Sequence, residues 1–334
     1  MLPIEFGYRA EQEGHPPSRL LELARLTEKA GFQFMPISDH FHPWFHTGAA
    51  AGFAWTWISA AAAMIPNIRL GPMVVAPIGR YHPAIIAQSF ATMDEMFPGR
   101  FFLGLGTGEA MNELPLGFPW PSFEERLERL RESVEIIRTL WSSDFVKHEG
   151  KFYSLNGANL YTKPRTRIPI YIAANGSRTA ALVGKYADGF ATIIALPRFN
   201  ELWSIIERTA IEAGRNPAAI AKHLELFVSY AVDYEQAVRA ARKWKPVLLT
   251  NVFNLRIYDP RELERRGNLL PDSELTKTWT IATSAEEVIK KAEEAIATGF
   301  NEIELHSASP NEEEFIELCR KSILPHLIAK YRSS

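Results

Sequence analysis

Arg100-Phe-Phe-Leu-Gly-Leu-Gly-Thr-Gly-Glu109-Ala-Met-Asn112 is the stretch on which the fold turns. Arg100 to Gly106 reads as a buried strand that runs directly into a glycine-rich turn. A dinucleotide-binding doubly wound sheet would place glycines after a strand in just this way, but its G-x-G-x-x-G spacing requires a third glycine at position 109. Position 109 is Glu109, so Gly104, Gly106 and Gly108 are not that fingerprint. Glycines here let backbone N–H groups approach a ligand, and Glu109 could hydrogen-bond or protonate a ring nitrogen; a tight loop capped by Thr107 is the plainer reading.

Working outward, the same alternation of β-rich runs and amphipathic stretches recurs along the chain. Strands are expected at Ile4 to Arg9, Phe32 to Ser38, Arg69 to Pro77, Arg100 to Gly106, Ile168 to Ala174, Gly189 to Ile194, Leu224 to Val232 and Glu302 to His306. Helices are expected near 17–30, 55–65, 83–96, 123–141, 177–187, 198–213, 234–244, 284–298 and 312–330. Helical crossovers imply parallel neighbours, and eight strands suit closure, so the fold class is α/β and the architecture a (β/α)8 TIM barrel. Residues 1–334 read as a single barrel domain with insertions near 142–167, a hairpin turning at Glu149-Gly150, and near 246–283.

Composition narrows the partners. With 37 Lys+Arg against 39 Asp+Glu the net charge is −2, which gives no electrostatic reason to bind nucleic acid. Cys319 is the only cysteine, so no intrachain disulfide or multi-cysteine metal site can form, and a reducing, cytoplasmic setting is expected. The first residues lack the basic start and apolar core of a secretory leader. The most apolar stretch, Ala49 to Ile65, is interrupted by Gly52, Thr56 and Ser59 and reads as a core helix; no membrane span is expected.

In such barrels the loops after the strands line the site. Those ends carry Glu13, Asp39-His40, Met73 to Ala76, Glu109 to Asn112, Asn175-Gly176-Ser177 and His306-Ser307. The densest run is Ser38-Asp-His40-Phe-His42-Pro-Trp44-Phe-His46. His40, at the strand end, is the best general base, and Trp44 can pack on a planar ligand or donate its indole N–H. His40 and His42 have the spacing of a metal pair, but Pro43 ends the strand and only His306 offers itself as a further ligand, so no metal site is expected. Ala174-Asn-Gly-Ser177 opens a helix whose N–H groups could take phosphate, or Ser177 could simply cap it.

Taken in order, Gly7-Tyr8 with Glu13, Ser38 to Trp44, Arg80-Tyr-His-Pro-Ala84 with Ala87-Gln88, Gly104 to Asn112 and Tyr171 to Gly176 resemble the luciferase-like superfamily branch that uses the deazaflavin coenzyme F420. The resemblance covers nearly the whole chain. It implies a barrel, a homodimer, and a deazaflavin ring in the C-terminal mouth near a bulged third strand with a non-proline cis peptide, here Met73-Val74. Asp39, Ala76, Thr107, Gly108, Asn112, Ala174, Asn175 and Gly176 match cofactor-contact positions, as do Met73 and Val74. Carried over by position, His40 takes a hydroxyl proton, Trp44 and Glu13 hold the substrate oxygen or the developing charge, and Glu109 sits by the ring.

The nearest patterns within that branch are secondary alcohol dehydrogenases and sugar-6-phosphate dehydrogenases. The latter are expected to clamp phosphate with two lysines and an arginine, and the matching positions here are Arg198, Asn254 and Thr278. Two of three charges are missing, with Lys277 and Arg256 close by. Tyr258-Asp-Pro260 and Ala282-Thr283 also look more like the alcohol-oxidising group. A small secondary alcohol is therefore the expected substrate, with a sugar 6-phosphate as the alternative. Methylenetetrahydromethanopterin reduction, a flavin-dependent monooxygenase and a noncatalytic ligand-binding barrel are further alternatives.

Overall fold

Strands and helices alternate through a computed structural model that describes residues 2–193 and 198–331. The strands are β1 (Glu5–Tyr8), β2 (Phe34–Ile37), β3 (Arg69–Pro72), β4 (Leu103–Leu105), β5 (Val146–Glu149), β6 (Ser154–Ala158), β7 (Ile170–Ala173), β8 (Gly189–Thr192), β9 (Ala221–Tyr230), β10 (Thr280–Ala282) and β11 (Glu302–Ser307). Eight of them follow the order β3-β2-β1-β11-β9-β8-β7-β4, all parallel. The two ends of that path meet through the bridges Leu70 to Phe101 and Val75 to Leu105. The result is a nearly closed eight-stranded barrel, with β10 added outside β9.

Local signals explain the helices. Pro17 starts Pro17–Ala30, and Gly31, at φ 95, ends it in the left-handed region that glycine adopts most readily. The hydroxyl of Ser122 accepts the Glu125 N–H to open Phe123–Ser142, which turns Leu130, Val134, Ile137 and Leu140 inward. Ser284 and Glu287 form a capping box at the start of Ala285–Thr298. Trp55 and Trp57 lie buried on Ala54–Met64, the core helix expected there. No described helix is long and apolar enough to cross a membrane.

The barrel floor is filled by Phe34, Met73, Phe102 and Tyr171. A Cβ on Gly7 would stand 2.1 Å from the Phe34 ring, and one on Gly189 2.1 Å from Tyr171, so these glycines make room for the aromatics.

Boundaries differ from the sequence reading in a few places. The ladder of β3 stops at Pro72 and not Pro77; the Met73-Val74 peptide that follows is cis, and only Val75 rejoins, to Leu105. Strand β9 begins earlier, at Ala221. The helix expected over 234–244 ends at Ala241 and continues as a 3-10 turn, Arg242–Leu248, around Pro246, whose ring disfavours α-helix. That expected over 312–330 contains a π turn, Cys319–Ile323. Ile194, the expected end of the sixth strand, lies outside the described residues. The 142–167 insertion is the β5-β6 hairpin, and 246–283 folds as Val252–Asn254, the helices Pro260–Gly267 and Asp272–Thr278, and β10.

Candidate active site

The C-terminal ends of the barrel strands enclose a cavity of about 820 Å³. From the turn after β1, Glu13 points its carboxylate at His40, which follows β2: Glu13 Oε1 stands 2.5 Å from His40 Nδ1. Glu13 is 1% exposed. Burial alone would raise its pKa, but His40, Arg9 and Ser38 outweigh burial and hold it at about 2. Burial likewise works against a protonated His40, and Glu13 outweighs it, so His40 titrates above its ordinary value. A carboxylate on Nδ1 keeps a proton there and leaves Nε2 as the nitrogen for a ligand.

Trp44 stands edge-on to His40, with ring centres 5.9 Å apart, and is braced by Phe253 at 5.8 Å. In the loop after β4, Glu109 precedes the helix Ala110–Glu113. The Asn112 amide donates to Glu109 Oε2 at 3.0 Å, while its oxygen accepts the Phe41 N–H at 2.8 Å. Asn112 thus ties the loop after β4 to the loop after β2.

Glu13, His40, Trp44, Glu109, Met73, Val74, Thr107, Gly108, Asn175, Gly176, Arg198 and Asn254 all line the one cavity. The side chains of four expected contact residues are turned elsewhere. Asp39 accepts from Arg80 at 2.9 Å and Tyr81 at 3.2 Å, and burial raises its pKa. Ala76 packs with Ile78, Ala110 and Trp120, Ala174 sits in the main core, and Asn112 braces its neighbours as described. Thr278 is a correction. Its helix turns Leu275 inward and Thr278 to solvent, outside the cavity.

Ser177 is not the cap of its helix: Gly176 occupies the N-cap position of Ser177–Tyr186 and supplies no side-chain bond. Gly176, Ser177, Arg178 and Thr179 face the cavity, so the first-turn N–H groups form an anion-receptive wall. A Cβ on Gly176 would meet nothing within 4 Å; any larger side chain there would fill cavity space. Gly108 holds φ 74, with room for no Cβ beside Ala76. An elongated ligand with a planar head and a phosphate fits this arrangement.

The expected phosphate clamp is thin. Arg198 lines the cavity, and no described carboxylate pairs with it. Arg178 is paired with Glu124 over the Phe123 ring. Lys277 pairs with Glu274 at 2.6 Å, and Arg256 donates to the Trp120 carbonyl at 3.3 Å; neither lines the cavity. Asn254 accepts from Arg126 at 2.9 Å. His42 is not paired with His40 but stands 2.8 Å from the Tyr258 carbonyl. Among the described residues, Glu11, His15 and Glu312 bring ligand atoms within 4.8 Å of one another, although Lys243 lies 2.6 Å from Glu11.

Sequence reasoning named His306 at the end of β11 but missed the other charged residues of β9 and β11, His223, Glu225, Glu302 and Glu304. His223, Glu225 and Phe227 alternate inward on one strand, and Glu302, Glu304 and His306 on its neighbour. His223 Nε2 lies 2.7 Å from Glu304, which also takes Arg9 at 2.8 Å. Burial opposes a charged His223, but Glu302 and Glu304 raise it to about 9. The available signal was period-two alternation of charged residues in strands that a barrel buries on both faces.

A family model described as luciferase-like monooxygenase matches residues 1–302. The chain belongs to the luciferase-like family. Among its relatives, the F420-dependent glucose-6-phosphate dehydrogenase of Mycolicibacterium fortuitum is 39% identical over 98% of this chain and 99% of its own. The enzyme of that name from Mycobacterium tuberculosis is 38% identical over the same shares. An F420-dependent secondary alcohol dehydrogenase, solved in complex with an F420-acetone adduct, superposes with a TM-score of 0.94 at 35% identity, covering 97% of this chain and 99% of that one. These three relatives, each matched over nearly its full length, are F420-dependent dehydrogenases.

Proposed function

We propose that this protein is an F420-dependent dehydrogenase that oxidises a secondary carbinol, with His40 as the base. The observation that carries the reading is the buried Glu13–His40 pair facing a cavity that also holds an uncapped helix N-terminus. When bound, the deazaflavin supplies a hydride acceptor at C5. His40 Nε2 takes the hydroxyl proton, and Glu13, held ionised, stabilises the imidazolium that results. Trp44 would pack beside the reacting centre, and Glu109, fixed by Asn112, would offer a hydrogen-bonding carboxylate to the cofactor. Thr107, Gly108, Asn175 and Gly176 would hold the cofactor, with its phosphate against the first turn of Ser177–Tyr186.

For the substrate, the whole-length likeness to glucose-6-phosphate dehydrogenases supports a sugar 6-phosphate better than the small alcohol preferred from the sequence. Arg198 at the cavity wall is the cation that favours a phosphate. A small secondary alcohol is the second reading. It is favoured by the aromatic and apolar lining of Trp44, Phe227, Trp244, Val247 and Phe253 and by the neutral Asn254.

An anaerobic absorbance assay with oxidised F420 tests both, comparing glucose 6-phosphate with 2-propanol and using FMN with NADH as a control. Loss of the deazaflavin band with the sugar phosphate is the expected result. Loss with 2-propanol alone selects the second reading, and no loss with either refutes the dehydrogenase assignment for these substrates.

A further inference from the structure

A second histidine–carboxylate pair faces the same cavity. The parallel register sets His306 of β11 beside Phe227 of β9, one inward position beyond the Glu304–Glu225 pair. His306 is 2% exposed, and its Nδ1 lies 2.6 Å from Glu225 Oε1. Glu225 is itself held 3.5 Å from Arg9. His306 Nε2 is buried without a hydrogen-bond partner among the described residues, yet the residue lines the cavity.

Aromatic rings enclose the rest of the imidazole: Trp244 edge-on at 4.5 Å, Phe227 at 5.3 Å and Trp279 at 5.5 Å. None offers Nε2 an acceptor; the Trp244 N–H is already given to Glu11 at 3.1 Å, and the Trp279 N–H, itself buried without a partner among the described residues, makes no hydrogen bond to Nε2. A nitrogen left bare in such a place is costly unless a ligand completes it. Glu225 accepts from Nδ1–H, so Nε2 is an acceptor in the neutral ring and a donor in the charged one. A hydroxyl group complements either state. Removing the carbinol proton requires one base, and His40 fills that role, so His306 is surplus to the reaction on a monofunctional alcohol.

We propose that His306 Nε2 hydrogen-bonds a second hydroxyl of the substrate, which makes the substrate class a polyol or sugar. The proposal rests on the carbinol-oxidation reading above. Its test compares wild type, His306→Phe and His306→Gln for binding of glucose 6-phosphate and its monodeoxy analogues, followed by tryptophan fluorescence from Trp244 and Trp279, with turnover of oxidised F420 measured in parallel.

The expected pattern is a cycle. One monodeoxy analogue binds wild type at least tenfold more weakly than the parent sugar, and His306→Phe weakens the parent by a similar factor without weakening that analogue further. His306→Gln, which keeps a polar atom near the Nε2 position, recovers part of the loss. Wild type that binds no sugar, parent and analogues that bind His306→Phe as they bind wild type, or a loss equal for all of them, overturns the proposal. Sugar binding with the expected pattern but no F420 turnover instead retains the anchor and removes the dehydrogenase reading.

Discussion

Replacing Glu13 by Gln keeps the shape of the site and removes the charge that sets His40. In the folded protein Glu13 is held at about 2 against an ordinary 4.5, and that depression corresponds to about 3 kcal/mol of stabilisation at most. A depressed carboxyl contributes above its unfolded pKa and loses the contribution as pH falls through the folded value. His40 is raised, so its own contribution is full below 6.5 and fades as pH rises through its folded pKa. The pair is therefore worth most between 4.5 and 6.5. Denaturant midpoints of wild type and Glu13→Gln should differ most in that window and converge below it. For catalysis, a raised His40 must lose its proton before it can act, so the acid limb of kcat/KM lies above the ordinary histidine value in wild type. Without Glu13 burial dominates and that limb should move to lower pH, with a reduced maximum because the imidazolium loses its counter-charge. An acid limb that stays in place or moves upward would refute the coupling, as would a stability gap that does not narrow in acid.

His40→Ala should abolish oxidation while leaving F420 affinity, read by fluorescence titration, within a few-fold of wild type; undiminished turnover would remove its assignment as base. Arg198→Ala should raise KM for glucose 6-phosphate on the order of tenfold or more and that for 2-propanol little, since a lone phosphate contact is lost; equal effects would remove the anchoring role. Gly176→Val places a side chain where a Cβ now meets open cavity and should weaken F420 binding by at least about tenfold, with the thermal midpoint nearly unchanged. A lower midpoint with normal F420 binding would show that Gly176 serves the fold instead.

The alternation of buried strands and amphipathic helices is written in local pattern, and with it the count of eight and the loops at the strand ends. The misplaced spacing of Gly104, Gly106 and Gly108 excluded the dinucleotide fold from sequence alone. Helix limits such as Pro17–Ala30 and Pro83–Met96 were legible for the same reason, because prolines, caps and C-terminal glycines act on their own neighbours. The resemblance of Gly7-Tyr8 with Glu13 and of Ser38 to Trp44 pointed to Glu13 and His40 before any contact between them was visible.

What tertiary structure alone decided is which groups meet. Glu13 and His40 are 27 residues apart, and Glu225 and His306 are separated by 81; no periodicity links them. The parallel register of β9 on β11 aligns His223 with Glu302 and Phe227 with His306, and a slip of one residue would turn every inward group outward. The same limit explains Thr278. Sequence position placed it with Asn254 in the 246–283 segment, but the packing of Leu275 and Trp279 turned it to solvent, while Asn254 reached the cavity. A local pattern states which face of an element is buried; the register and packing of distant elements determine what lies opposite it, and the chemistry of this cavity depends on those opposing groups.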